Sequence, residues 1–182
     1  MIVGIVGPPG SGKHSLGSAL AAVARLPLIA TESIRAAIAR ADTAVTRDAK
    51  MQMDRGQLVS DERTGRIVRE CAGLRDAVVV GAPRSEEQWR GMTGGNGAFV
   101  VGVIALDATE ALLDARQTAR GRPPIAVAHP GGLERIWREL APVLAHAAAN
   151  DRLLRLDATR PTPELLAAAA AFVQTLRARS RS

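Results

Sequence analysis

The chain has 182 residues, 47% of them apolar, which suits a single compact α/β domain and excludes wholesale disorder. A single cysteine, Cys71, excludes an internal disulfide and a cysteine-rich metal site, and its helical spacing from Ile67 and Val68 predicts a buried core thiol. The net charge of +6 comes from arginines spread along a chain with few aromatic residues, which favours a basic cleft for polyphosphate over nucleic-acid binding.

Short apolar strands and longer helices alternate along the chain. Ile2–Val6 is rich in β-branched residues and ends at a Gly/Pro-rich turn, which predicts a buried parallel strand. Further strands are predicted at 28–29, 77–80, 98–106 and 152–156. Helices are predicted at 15–25, 33–40, 46–55, 60–74, from Ser85 onward, 109–119, 133–149 and 163–177. The alternation predicts a three-layer α/β fold, with a parallel sheet between two layers of helices.

Two connecting segments are rich in glycine or proline. Residues 94–97 are predicted to be a turn-rich connector rather than a domain boundary, and residues 121–132 an irregular stretch. No apolar run is long enough to span a bilayer and no signal peptide is evident, so we expect a cytoplasmic protein with no membrane partner.

A glycine-rich loop separates the first strand from the first helix. It matches the phosphate-loop pattern G-x-x-x-x-G-K, in the strand–loop–helix context that this pattern requires. Backbone N–H groups, the helix N-terminus and the lysine ammonium would together bind the phosphates of ATP. The loop consists of Gly7, Pro8, Pro9, Gly10, Ser11, Gly12 and Lys13.

The position after Lys13 departs from the usual pattern. His14 stands where a serine or threonine hydroxyl commonly binds magnesium, and Ser15 follows one residue later. Ser15 could still reach a phosphate, whereas His14 could be a ligand, an acid or a bystander. We expect both residues at the ATP site, and we identify no residue that binds the metal directly.

Further motifs, in order along nearly the whole chain, resemble those of the adenylate kinase family of nucleoside monophosphate kinases. Gly81-Ala82-Pro83-Arg84 resembles the family's G-F-P-R, and residues 56–62 resemble its G-x-L-V-x-D-E stretch. The other matching positions beyond the phosphate loop are Thr31, Arg35, Gln88, Arg116, Arg120 and Arg160.

The resemblance implies a role for each matching residue. Neutralising the charge of the transferring phosphate is implied for Lys13, Arg84, Arg116 and Arg120. On the ATP side, the phosphate loop with His14 and Ser15 is joined by Arg116 and Arg160. On the acceptor side, the implied contacts are Thr31, Arg35, Gln57, Val59, Arg84 and Gln88.

The resemblance also implies an architecture and a reaction. A five-stranded parallel sheet of order 2-3-1-4-5 would form one P-loop kinase domain, with its core at 1–30, 60–118 and 134–182. Residues 31–59 would form a helical acceptor-binding insert, and residues 119–133 a short lid. The implied reaction is ATP + AMP = 2 ADP, with Mg²⁺ accompanying ATP, and we expect a monomer.

Three departures from the family leave other interpretations open. Val80 replaces an aspartate that holds magnesium through water, and Ala82 replaces a phenylalanine beside the acceptor. The lid lacks the usual arginine and acidic cluster, for which Arg135 or Arg138 could substitute in part. The alternatives are a kinase for a non-standard nucleotide or other small phosphorylated acceptor, and a catalytically weak nucleotide-binding sensor.

Overall fold

A computed structural model describes residues 1–73, 75–94 and 99–179. One parallel sheet contains β1 (Ile2–Val6), β2 (Leu28–Ile29), β3 (Ala77–Val80), β4 (Val101–Asp107) and β5 (Leu153–Asp157). Its order, β2-β3-β1-β4-β5, confirms the predicted topology. The central strand β1 aligns Ile5 with Val80 of β3 on one side and with Ile104 of β4 on the other. The carboxyl ends of these strands therefore meet at one edge of the sheet.

The helices begin at sequence features that satisfy their first backbone N–H groups. Thr43, Ser60, Ser85 and Thr109 are N-caps whose side chains accept from the N–H three residues later. The helices are α1 (Lys13–Ala24), α2 (Thr31–Arg40), α3 (Ala44–Asp54), α4 (Asp61–Ala72), α5 (Glu86–Thr93), α6 (Glu110–Thr118), α7 (Ile125–Ala128), α8 (Gly132–Ala149) and α9 (Thr162–Arg179).

The core lies on both faces of the sheet, as alternation along each strand requires. On one face, side chains such as Val79 and Val103 pack against α4, α5 and α8 through Val68, Trp89 and Val143. On the other face, α1 and α9 cover the sheet through residues that include Leu16, Leu20, Leu165 and Leu176. The three-layer arrangement is therefore as predicted.

The segment 31–59 has a small apolar core of its own. Helices α2 and α3 pack on α4 through Ile38, Val45, Ala49 and Ile67. Val59, predicted as an acceptor contact, is partly buried against the same cluster. The segment predicted as an insert is thus largely helical and packs on α4.

Most predicted elements are confirmed with shifts of one to three residues at their ends. The segment 121–132 is less irregular than predicted, because α7 forms within it around Ile125. Cys71 is half-buried, not fully buried as predicted, and burial raises the pKa of its thiol. Positions 74 and 95–98, which fall in a predicted helix, a connector and a strand, lie outside the described residues. Within the described ranges, no helix combines the length and apolarity needed to cross a membrane.

Candidate active site

The phosphate loop turns between β1 and α1 on glycines whose backbones enter the left-handed region. Gly7, Gly10 and Gly12 have φ values of 142°, 86° and 99°. Gly12 is the N-cap of α1 and has no side chain to satisfy the N–H groups of the first turn. A Cβ on Gly7 would lie 2.7 Å from the Leu106 carbonyl oxygen, so only glycine fits there. The loop thus presents free N–H donors and a helix N-terminus to an anion.

Lys13 supplies the positive charge of this loop. Its Nζ donates to the Pro8 carbonyl oxygen at 2.8 Å, so the side chain folds over the loop. Burial, and after it the charge of Arg84, lower the pKa of the Lys13 ammonium from 10.5 to about 8. A bound phosphate would raise the pKa of Lys13 again, because its negative charge stabilises the ammonium.

A cavity of about 620 Å³ lies in front of the loop, at the carboxyl edge of the sheet; we call it the acceptor-side cavity. It brings Arg84 and Gln88 together with three residues of the phosphate loop, Gly7, Pro9 and Lys13, and the sequence predicted all five for the site. The other lining residues are Val6, Asp61, Gly81, Ser85, His129, Ile136, Glu139 and Leu140.

Arg84 and Gln88 are held by hydrogen bonds within the protein. The Arg84 Nε donates to the Gly81 carbonyl oxygen at 2.8 Å, which aims the guanidinium along the end of β3. The Gln88 Oε1 accepts from the Arg84 backbone N–H at 2.9 Å, and its Nε2 donates to Asp61 Oδ1 at 2.8 Å. At the cavity wall, the Arg84 guanidinium is therefore held by the Gly81 carbonyl oxygen, and its backbone N–H by the Gln88 side chain.

A second cavity of about 210 Å³ lies on the other side of the phosphate loop; we call it the nucleotide-side cavity. It brings together the predicted ATP-side residues Gly10, Ser11, Gly12, Ser15, Arg116 and Arg160. Arg120, predicted to neutralise the transferring phosphate, lines the same cavity. The Arg116 guanidinium donates to the carbonyl oxygens of Gly10 and Ser11, each at 3.3 Å, and of Ala158 at 3.1 Å. This single side chain joins the phosphate loop to the loop that follows β5.

Comparison with known proteins agrees with this geometry. Over 125 residues, covering 65% of this chain and 69% of the relative, the sequence is 34% identical to the adenylate kinase of Corynebacterium diphtheriae. The chain belongs to the adenylate kinase family. It is also 34% identical over 130 residues to the adenylate kinase of Brucella ovis, where 67% of this chain matches 66% of the relative. A further relative, the adenylate kinase of Gemmatimonas aurantiaca, is 35% identical over 96 residues, 45% of its length.

The structural comparison extends over nearly the whole chain. A gluconokinase from Sinorhizobium meliloti 1021 superposes with a TM-score of 0.56, covering 96% of this chain and 91% of the gluconokinase at 17% identity. At that identity the likeness shows the fold alone. No protein-family model matches the chain. Because the relatives are adenylate kinases, they support a phosphotransferase in this member of the adenylate kinase family.

Several residues that the sequence of this chain predicted for the site lie outside both cavities. Thr31 and Arg35 are exposed on α2, and Gln57 is exposed in the connection between α3 and α4. Neither these residues nor Val59 line the acceptor-side cavity. His14 is exposed on the first turn of α1 and lines neither cavity. The structure therefore does not bring these four predicted acceptor contacts into the acceptor-side cavity.

Sequence reasoning missed one wall of the acceptor-side cavity. Ile136, Glu139 and Leu140 of α8 line it, together with His129. Their i, i+3, i+4 spacing marks one face of a helix, but nothing in the sequence indicated which structure that face meets. The two arginines considered as lid substitutes are paired on the same helix: Arg135 with Glu139 at 2.7 Å, and Arg138 with Glu134.

The short lid is anchored to the body of the protein. Ile125, in α7, is fully buried, and its backbone N–H donates to Asp114 Oδ1 of α6 at 2.8 Å. Arg135 donates to the Pro130 carbonyl oxygen at 3.2 Å, which secures the segment leading into α8. The segment predicted as a lid is thus packed against α6, and its residue His129 lines the acceptor-side cavity.

The residues around the phosphate loop do not fit a magnesium ion held by side chains. In the described part of the chain, no three acidic, histidine or cysteine side chains come together as a metal site. Val80 is buried, and Asp107 is paired with Arg155 at 2.9 Å. The structure therefore identifies no side chains that would hold magnesium directly beside the loop in the described part of the chain.

Proposed function

We propose that this protein transfers the γ-phosphoryl group of ATP to a nucleoside monophosphate, with AMP as the first candidate acceptor. The observation that supports this proposal best is the shared cavity of Lys13 and Arg84. Two cations in front of a phosphate loop suit two polyanions that must approach each other. A protein that only bound ATP would have no use for the second cation.

The chemistry needs positioning more than it needs a reactive side chain. An oxygen of the acceptor phosphate attacks the γ-phosphorus while the bond to the β–γ bridging oxygen breaks, and that electron pair leaves with ADP. Because the acceptor phosphate is already ionised, no general base is required. Lys13 and Arg84 would neutralise the charge that spreads over the transferring group.

The nucleotide-side cavity would hold the rest of ATP. Arg120 and Arg160 line it, while Arg116 fixes the phosphate loop beside it. On the acceptor side, we propose that the insert approaches the acceptor-side cavity when an acceptor binds. That movement would bring Thr31, Arg35, Gln57 and Val59 to the acceptor and would exclude water from the site.

A second candidate is a kinase with another small phosphorylated acceptor, such as a non-standard nucleotide. The observation that favours it is the presence of His129 and Glu139 in the lining of the same cavity as Arg84, where they add hydrogen-bonding groups. A catalytically weak sensor is a third candidate, favoured by Val80 and His14 at positions where the family handles magnesium.

Nucleotide chromatography after incubation with ATP, magnesium and each common monophosphate tests these candidates. We expect conversion of AMP to ADP at roughly 1 per second or faster, the low end of usual turnover numbers. Turnover with a different common monophosphate would keep the proposed reaction and change only the acceptor base. ATP binding without turnover of any common monophosphate would overturn the proposed function and favour the second or the third candidate.

A further inference from the structure

The wall that α8 contributes to the acceptor-side cavity carries a carboxylate, Glu139, beside two apolar side chains, Ile136 and Leu140. Their i, i+3, i+4 spacing places the three side chains on one face of the helix. Ile136 and Glu139 also line a neighbouring cavity of about 240 Å³, so they form a wall shared by the two spaces. Helix α8 therefore presents a hydrogen-bond acceptor with an apolar border to a molecule in the acceptor-side cavity.

The Glu139 carboxylate is held at this wall by Arg135, one turn earlier on the same helix. The Arg135 Nε donates to Glu139 Oε1 at 2.7 Å, and its Nη1 donates to the Pro130 carbonyl oxygen at 3.2 Å. The arginine stem packs against Gly131, where a Cβ would lie 3.0 Å from the Arg135 Cβ and Cδ. Glu139 is 61% exposed, yet this link keeps it beside the cavity. A carboxylate has about four acceptor positions, so the bond to Arg135 leaves others for a ligand.

The charge of Glu139 indicates which part of an acceptor it meets. A carboxylate repels the acceptor phosphate, which Lys13 and Arg84 attract from other parts of the same cavity. Glu139 therefore suits a neutral group that donates a hydrogen bond. In a nucleoside monophosphate, the sugar is the group attached directly to the phosphate. Ribose offers hydroxyl donors for a carboxylate and ring carbons that can pack on apolar side chains, which is the combination that this face of α8 complements.

We infer that Glu139 is a specificity-determining residue, which accepts a hydrogen bond from a sugar hydroxyl of the acceptor and is positioned for it by Arg135. This inference rests on the proposed function and deepens it, because it names ribonucleotides rather than deoxyribonucleotides as the acceptor class. The contact is made at the sugar, so the preference should hold for every base.

A cycle between one protein side chain and one substrate hydroxyl tests the contact. We compare kcat/KM for AMP, 2′-deoxy-AMP and 3′-deoxy-AMP in the wild type and in Glu139→Ala. The wild type should prefer AMP over at least one deoxy acceptor by about tenfold or more, as expected for a hydrogen bond to a charged group. Glu139→Ala should lose this factor with AMP and stay within about twofold of wild type with that deoxy acceptor, because the missing hydroxyl and the missing carboxylate remove the same bond.

Two further variants separate this contact from charge and folding effects. Glu134→Ala removes another acid of α8, which is also paired with an arginine but lines neither of the two cavities, and should keep the preference for AMP. Arg135→Met leaves the carboxylate in place without its support, so it should weaken the preference without removing it. The unfolding midpoint should change little in Glu139→Ala, since exposed ion pairs contribute little stability.

Binding of sugar phosphates tests the contact without a base and without turnover. NMR titration gives the affinities of ribose 5-phosphate and of its 2-deoxy and 3-deoxy forms. The wild type should bind ribose 5-phosphate about tenfold more tightly than at least one deoxy form. Glu139→Ala should bind that pair with affinities within about twofold of each other, since neither sugar can then form the bond.

Each outcome bears on the inference or on the proposed function separately. A preference for ribose that is lost in Glu139→Ala supports the inference. Equal treatment of ribose and both deoxy forms by the wild type, or a preference that persists in Glu139→Ala, would overturn it. A Glu139-dependent preference in binding, without turnover of any monophosphate, would overturn the proposed function alone. No binding of the sugar phosphates together with no turnover would overturn both.

Discussion

The ammonium of Lys13 lies 2.8 Å from the carbonyl oxygen of Pro8, within the same phosphate loop. This contact holds the charge over the mouth of the loop before any nucleotide is bound. Arg84 lies in the same cavity and disfavours the charged form of the lysine. The site thus contains two cations that repel each other, and the negative charge of a polyphosphate would offset this repulsion.

Replacement of Lys13 should remove turnover without unfolding the protein. For Lys13→Ala we expect a fall in kcat/KM of at least about a hundredfold, because a charge aimed at the transferring phosphate is lost. Lys13→Arg should not restore activity, since a planar guanidinium does not fit the turn around Pro8. The matched control is Lys50→Ala, which removes the chain's other lysine from an exposed pair with Asp54. Near-normal turnover in Lys13→Ala would overturn the phosphate-loop assignment.

The lowered pKa of Lys13 predicts how ATP binding depends on pH. The ammonium of the free protein loses its proton as pH rises through about 8, so ATP affinity should decline above that value by up to about tenfold per unit. Stability should change in the opposite sense: between about 8 and 10.5 the unfolded chain binds more protons at this position, so the free energy of unfolding rises with pH. Calorimetric titration from pH 7 to 9.5 measures the first effect. If ATP affinity declines in the same way with pH in Lys13→Ala, the titrating group is a residue other than Lys13.

The Arg116 side chain should stabilise the conformation of the phosphate loop. Its guanidinium binds carbonyl oxygens of Gly10, Ser11 and Ala158, on two separate loops, and a lysine ammonium cannot span them. For Arg116→Lys we expect about 1–2 kcal/mol less stability and a higher KM for ATP. Arg122→Lys, at an exposed position after the same helix, is the control. Unchanged KM in Arg116→Lys would mean that the loop holds its shape unaided.

The elements of this fold could be predicted because their determinants are local. The strand Ile2–Val6, the N-cap Ser85 and the phosphate loop each follow from a few neighbouring residues. The order of the strands and the approximate cavity around Lys13 and Arg84 came from several spaced motifs that had to meet at one edge of the sheet. In these parts of the protein, either the interacting residues are close in sequence or a recognised motif identifies the residues that meet.

The remaining features depend on contacts between distant segments. Gln88 could be placed at the site, but its bond to Asp61 depends on glycine contacts between two helices that periodicity does not describe. Glu139 lines the cavity because α8 packs on the same face of the sheet as α5. Cys71 lies at the boundary between the main core and the insert core, so it packs against both and stays half-buried.

Ile125 should anchor the lid through its burial. It is fully buried, whereas Val127 on the same short helix is 71% exposed. For Ile125→Ala we expect about 2–4 kcal/mol less stability from the lost burial and the cavity left behind, with faster proteolysis near residue 125. Val127→Ala is the control and should change stability by no more than about 0.5 kcal/mol. Equal effects of the two variants would show that the lid is not held by Ile125. Chemical denaturation and limited proteolysis measure both.

Val80 allows a direct test of how magnesium is held. It is the last residue of β3, 4% exposed, and a Cβ on Gly17 of α1 would lie 2.5 Å from its Cγ2. Val80→Asp and Val80→Asn introduce groups of equal size that differ in charge, and each should cost about 1–3 kcal/mol of stability in this apolar contact. Only the carboxylate should raise kcat, by roughly severalfold, and lower the magnesium concentration needed for half-maximal rate, because only a charged oxygen ligand attracts the hydrated ion. Titration of the initial rate with magnesium at fixed ATP measures this. If both variants keep the wild-type magnesium dependence, the nucleotide holds the ion without help from the end of β3, and the departure at this position has no consequence for the metal.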